Sequence, residues 1–140
     1  MLKITVNGIP APQGSKNVNR HGAVYESSKA VGPWREAIRA ETQRAAEAPI
    51  TGPVEVRIGF RLTRPASHYG TGRNAGQLRA AAPAYPCGQR DDIDKLTRAV
   101  LDGLKAGGAY TDDGHVVTLA AAKGYADQPG ADIEVIEVTG

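Results

Sequence analysis

A single α+β domain, with a mixed β-sheet packed against two main helices, is the fold this sequence predicts. Three observations carry that expectation. Residues 54–62 alternate strictly, with Val54, Val56, Ile58, Phe60 and Leu62 set against Glu55, Arg57, Gly59 and Arg61, the period of a half-buried strand. Ile93, Leu96, Val100 and Leu104 recur at i, i+3, i+7 and i+11, one apolar stripe on a helix. Strand-like and helix-like stretches then follow one another in the mixed order β, α, β, long loop, α, β, β. A chain of 140 residues suits one core rather than two, so the domain is taken as 1–140.

Residues 2–6 alternate Leu2, Ile4 and Val6 with Lys3 and Thr5, and the strand ends at Asn7-Gly8. Pro10, Pro12 and Gly14 forbid regular structure over 9–20, an irregular loop that carries Lys16, Asn17, Asn19 and Arg20. A short strand is expected over 23–25. Ser27 or Ser28 is placed to cap a helix whose apolar face is Trp34, Ile38 and Ala45, running to about Glu47 before Thr51-Gly52-Pro53 breaks it. After the 54–62 strand, residues 63–90 show neither period. Loops of that length in compact domains are functional or disordered. Arg64, Arg73, Arg79 and Arg90, interleaved with Tyr69 and Tyr85, suit a DNA backbone with aromatics for stacking, and suit a plain flexible insertion equally. The second helix stops at Gly107-Gly108. Residues 116–122 and 133–138 read as closing strands, with 127–130 as the turn between them.

Charge is segregated along the chain. Residues 1–90 hold 13 Lys/Arg against 5 Asp/Glu, whereas 91–140 hold 4 against 10. That pattern fits a phosphate-binding surface beside a metal-binding centre, or merely two solvated surfaces. No run approaches the roughly 18–20 apolar residues that cross a bilayer, so no membrane role is expected. Nor does the N-terminus show a secretion signal. Cys87 is the sole cysteine, which excludes an internal disulfide or zinc cluster and fits a reducing cytoplasm.

The chemistry sits in the acidic half. Asp91-Asp92-Ile93-Asp94 precedes the second helix and Asp112-Asp113 follows it. Two apart in an entry segment, Asp92 and Asp94 share one side while Ile93 turns inward. The chain returns through Tyr110-Thr111 and is able to bring Asp113 back to them. Three carboxylates meeting at a point need a cation, and oxygen ligands without a Cys/His cluster select Mg²⁺, or Mn²⁺, over Zn²⁺. Asp94, Arg98 and Asp102 are spaced i, i+4, i+8 on one helix face. Arg98 there either contacts a scissile phosphate or belongs to an ordinary ion-pair ladder.

The run RDDIDKLTRAVLDGLKAGGAYTDDGHVV resembles the core signature of RusA-type Holliday-junction resolvases, as do GIPAPQGSKN, SHYGTGRNAG, APAYPCG and the late Lys123. The likeness covers most of the chain and keeps the order of its segments. It implies that Asp92, Asp94 and Asp113 bind the metal, that Arg98 stands in the place of a catalytic lysine, and that Lys16 and Lys123 meet DNA. Lys95 stands where the family commonly has Asn. Arginine keeps the charge of the lysine it replaces but is a poor proton donor. Asp91 is a second candidate for the first ligand position.

The resulting expectation is a Mg²⁺-dependent structure-specific endodeoxyribonuclease that resolves four-way junctions by paired symmetric nicks in recombination and repair. Its catalytic residues are Asp92, Asp94, Asp113 and Arg98, its DNA contacts Lys16, Arg20, Arg73, Arg90 and Lys123. The resemblance also implies a homodimer, in a bacterial or phage-encoded cytoplasmic protein. The alternative is a non-catalytic DNA-junction-binding module whose acids only cap and solvate a helix. A nucleotidyltransferase, suggested by Gly14-Ser15 and an Asp-x-Asp, lacks the single strand-helix unit that motif requires.

Overall fold

The computed structural model describes residues 1–14, 16–18, 20–21, 24–26, 29–88 and 91–139, with 16–18 and 24–26 as backbone alone. The chain runs β1 (Leu2–Asn7), β2 (Lys16–Val18), β3 (Val24–Glu26), α1 (Val31–Ala45), β4 (Val54–Leu62), α2 (Ile93–Ala106), β5 (Val116–Tyr125) and β6 (Gly130–Glu137). The main sheet has the order β1-β6-β4-β5, while β2 and β3 form a separate antiparallel pair. The last strand therefore inserts between the first and the fourth, antiparallel to both, with Ile133 opposite Ile4 on one side and Ile58 on the other. β5 lies parallel to β4. Parallel neighbours need a crossover, and the long segment with α2 supplies it.

Both helices cover one face of the sheet. Val54, Val56, Ile58, Phe60 and Leu62 of β4 are buried, as are Ala131, Ile133 and Val135 of β6 beneath Trp34, Ile38, Leu96, Val100 and Leu104. The opposite face carries Lys3, Thr5, Arg57, Asp132 and Glu134. α1 and α2 approach closely because α2 offers glycines there: a Cβ at Gly103 would stand 2.8 Å from Ile38 Cβ, and one at Gly107 2.6 Å from the Arg39 carbonyl. α2 ends in a Schellman turn, Ala109 N–H donating to Leu104 O at 2.9 Å and Gly108 N–H to Lys105 O at 3.1 Å, with Gly108 at φ +90°.

Some local expectations are corrected. Residues 16–18 are a strand, not part of an irregular loop, and three residues are too few for a period to show. α1 begins at Val31 with Ala30 as its N-cap and no side-chain cap; Ser27 and Ser28 lie outside the described residues. Ala45 is exposed, and Thr42 takes its place on the inner face by donating its hydroxyl to Ile38 O at 2.7 Å, which satisfies the buried polar group locally. Gly130 belongs to β6 rather than to the turn before it.

Candidate active site

The start of α2 presents two uncommitted carboxylates. Asp92 is the N-cap, extended at φ −60° and ψ 126°, and Asp94 stands in the first turn. Both are exposed, and Ile93 between them packs against the core. An N-cap aspartate ordinarily accepts a hydrogen bond from the N–H two or three residues on. Asp92 makes no such bond. Its side chain lies at the positive end of the helix dipole.

The return of the chain separates the roles of two neighbouring aspartates. Asp112 caps the 3-10 turn Asp113–His115: its Oδ1 accepts the Gly114 N–H at 3.1 Å, and that bond, with Lys105 nearby, holds its carboxyl below the usual range. Asp112 is thereby spent on structure. Asp113 Oδ1, by contrast, is buried and accepts no hydrogen bond. The buried Tyr110 phenol lies beside it. Its hydroxyl donates to Leu101 O at 3.1 Å, and burial, then the charge of Asp113 and a hydrogen-bonding contact with it, raise the phenol well above its ordinary value. Asp113 is left with a desolvated oxygen beside a hydroxyl that is committed to Leu101 O, a costly state that a cation relieves.

Asp92, Asp94 and Asp113 carry oxygens only, one of them orphaned, and oxygen is the chemistry that a hard divalent ion takes. Among the described residues no three His, Cys, Asp or Glu side chains stand close enough to hold a metal. The expected return of Asp113 to the side of Asp92 and Asp94 is therefore not closed into a three-carboxylate cluster.

Arg98, one turn beyond Asp94, is exposed and has no ion pair among the described residues. Asp102 pairs instead with Arg35 of α1 at 3.9 Å. No ladder along α2 consumes Arg98. Lys123, on β5 opposite Phe60, points its amine to the start of α2 and donates to Asp91 O at 2.7 Å. It therefore fixes the backbone that leads into Asp92. Gln13 acts from the other side: its N–H donates to Lys95 O at 3.1 Å, docking the Pro-rich loop on the first turn of α2, while its Oε1 is buried without a donor.

The remaining basic positions are spread. Arg73 is exposed in the short turn Gly72–Asn74. Arg20 is exposed, its Nε donating to the His21 ring at 3.4 Å. Lys16 lies on β2 with its side chain outside the described residues, as is Arg90 altogether. Two arginines of the long loop are used internally. Arg64 donates to Pro83 O at 2.7 Å and stacks on Tyr125, and Arg79 donates to Tyr69 O at 2.8 Å. No helix of the described residues is long and apolar enough to cross a membrane.

Residues 7–136 match the family model of the endodeoxyribonuclease RusA. The chain belongs to the RusA endodeoxyribonuclease family. Endonucleolytic cutting of DNA is thus the activity of its family. It is also 27% identical over 141 residues to the uncharacterized protein YqaN of Bacillus subtilis strain 168, across 99% of this chain and 97% of that protein. Within this RusA-family fold, Tyr110, Gln13 and the capping role of Asp112 escape a reading of the sequence. No period marks them. The only hint is a lone aromatic directly ahead of Thr111-Asp112-Asp113.

Proposed function

We propose that this protein is a Mg²⁺-dependent endonuclease that resolves Holliday junctions and other branched DNA by paired symmetric nicks, with Asp92, Asp94 and Asp113 as its metal ligands. Mn²⁺ suits the same oxygens. The observation that supports it most is the contrast within Asp112-Asp113: one carboxylate caps a turn, and the other keeps a buried oxygen without a donor. A divalent ion held there would lower the pKa of a bound water and offset charge on the scissile phosphate.

The chain's own groups supply the rest. Asp92 and Asp94, both exposed and neither used to cap the helix, offer ligands at an open helix terminus. Arg98 neutralises charge on the non-bridging phosphate oxygens as attack proceeds, and its guanidinium stays protonated throughout. Lys123 and Gln13 hold the two sides of the entry segment, so the carboxylates arrive in fixed register. Arg20, Arg73, Lys16 and Arg90 act as phosphate contacts, with the remaining hydrogens of Lys123 available to the same end. A two-fold junction requires two equivalent centres, which a C₂ homodimer provides. The setting is a bacterial or phage-infected cytoplasm.

The test uses a labelled four-way junction with Mg²⁺, then with EDTA. Nicks at symmetric positions that vanish with EDTA are expected, and Asp92→Asn retains a shifted band without product. A shifted but uncut junction under Mg²⁺ replaces this reading with the binding-only module.

A further inference from the structure

Residues 63–88 pack beside the end of β5 and line an open cleft of about 560 Å³ that reaches Asp91. We propose that this cleft receives one unpaired nucleotide of the DNA substrate, its base stacked on Tyr85; the proposal rests on the DNA-cutting reading above.

Tyr85 has the properties of a stacking platform. The residue is 69% exposed, with no ring partner among the described residues. Yet the backbone on each side is pinned, Pro83 O by the Arg64 guanidinium at 2.7 Å and Pro86 by burial. The two prolines also fix φ around it. An exposed ring on a stiff backbone has little freedom left to lose on contact. Other parts of the lining suit the rest of a nucleotide. Arg64 lies 4.3 Å from the Tyr125 ring centroid and 3.3 Å from the His68 ring nitrogen, and His68 meets the Tyr125 ring edge-on at 5.4 Å, so these internally paired groups form a positively charged wall in the same cleft as the free aromatic face.

Position and size narrow the occupant. A second cleft of about 470 Å³, between the Pro-rich loop and Asp91, shares Leu62, Thr63 and Asp91 with the first. The two flank the backbone that leads into Asp92. A single strand crossing there would lay successive nucleotides on each side of Asp91, one residue ahead of Asp92. The cleft falls in the range of small-ligand sites and is far too small for a duplex. A paired base has both faces covered by its stack, so only an unpaired one is able to offer its face to Tyr85.

The experiment measures binding in EDTA, by fluorescence anisotropy, of a labelled oligothymidylate and of a duplex of equal length. The proteins compared are native, Tyr85→Ala and Tyr85→Phe. Tyr85→Ala is expected to bind the oligothymidylate about 10-fold more weakly and the duplex unchanged, while Tyr85→Phe matches the native protein. Three results overturn the proposal: an oligothymidylate that the native protein does not bind, equal binding by Tyr85→Ala, or a Tyr85→Phe as weak as Tyr85→Ala. Because no metal is present, failure of the nuclease reading appears separately, as absent nicks in Mg²⁺.

Discussion

At the scale of single residues, Asp112 and Asp113 are chemically identical neighbours with opposite obligations. Asp112 gives an oxygen to the Gly114 N–H, and Asp113 keeps a buried oxygen free. Asp113→Asn should therefore abolish Mg²⁺-dependent junction cutting, whereas Asp112→Ala should retain it within a few-fold and lose only the cap. A cleavage gel run on both variants checks this, and equal loss in both would remove the distinction. Arg98 offers a second contrast. If it is a fixed charge, Arg98→Lys keeps most activity and Arg98→Met loses about 100-fold, the scale of removing one charge-stabilising donor. Single-turnover rates on a four-way junction provide the measurement. A defect in Arg98→Lys as deep as in Arg98→Met would mean that the fork geometry, not the charge, is needed. The spacing of the aspartates was legible in the sequence. The division of labour between Asp112 and Asp113 was not, because it depends on a turn type and on where the one Tyr110 hydrogen points.

At the scale of elements, legibility followed length and period. β4 and α2 are long, with regular apolar spacing, and their bounds match the expectation closely. β2 and β3 are three residues each, and α1 starts without a side-chain cap, so neither left a clear mark. The contact of α1 with α2 was also hidden, since a glycine in an apolar run looks like a weakness rather than a seat. Gly103 and Gly107 are seats: any side chain there meets Ile38, Arg39 or Thr42. Gly103→Ala should destabilise the fold by about 1–3 kcal/mol despite the better helix propensity of alanine, because overpacking at a close approach outweighs it. Urea unfolding should show a lower midpoint at unchanged slope. Greater stability in that variant would show that the helices yield easily. α2 carries Asp94 and Arg98, so a shifted helix should also slow cutting.

At the scale of the whole molecule, composition along the chain says nothing of strand order. The sheet is closed by its last strand entering the middle, a non-local pairing that leaves β5 at an edge. That edge is unguarded. From Val116 to Ala122 it bears no proline and no charge, and Val117 is 59% and Leu119 47% exposed. Natural edge strands are usually blunted by such residues, or are covered. Leu119 lies opposite Val56 and so on the helix side of the sheet, yet it stays exposed there. A second copy meeting this edge about a two-fold axis would cover both apolar residues and supply the paired centres that symmetric nicking requires. The native protein is accordingly expected to sediment as a dimer, and Leu119→Glu to shift it toward monomer. Each monomer keeps its own Asp92, Asp94 and Asp113, so single nicks should persist in Leu119→Glu while paired resolution falls. Sedimentation and a two-label junction assay, run on the same samples, read the two effects together. A Leu119→Glu dimer with undiminished paired nicking would move the interface elsewhere on the molecule, and a native protein that is monomeric while still nicking in pairs would remove the need for one.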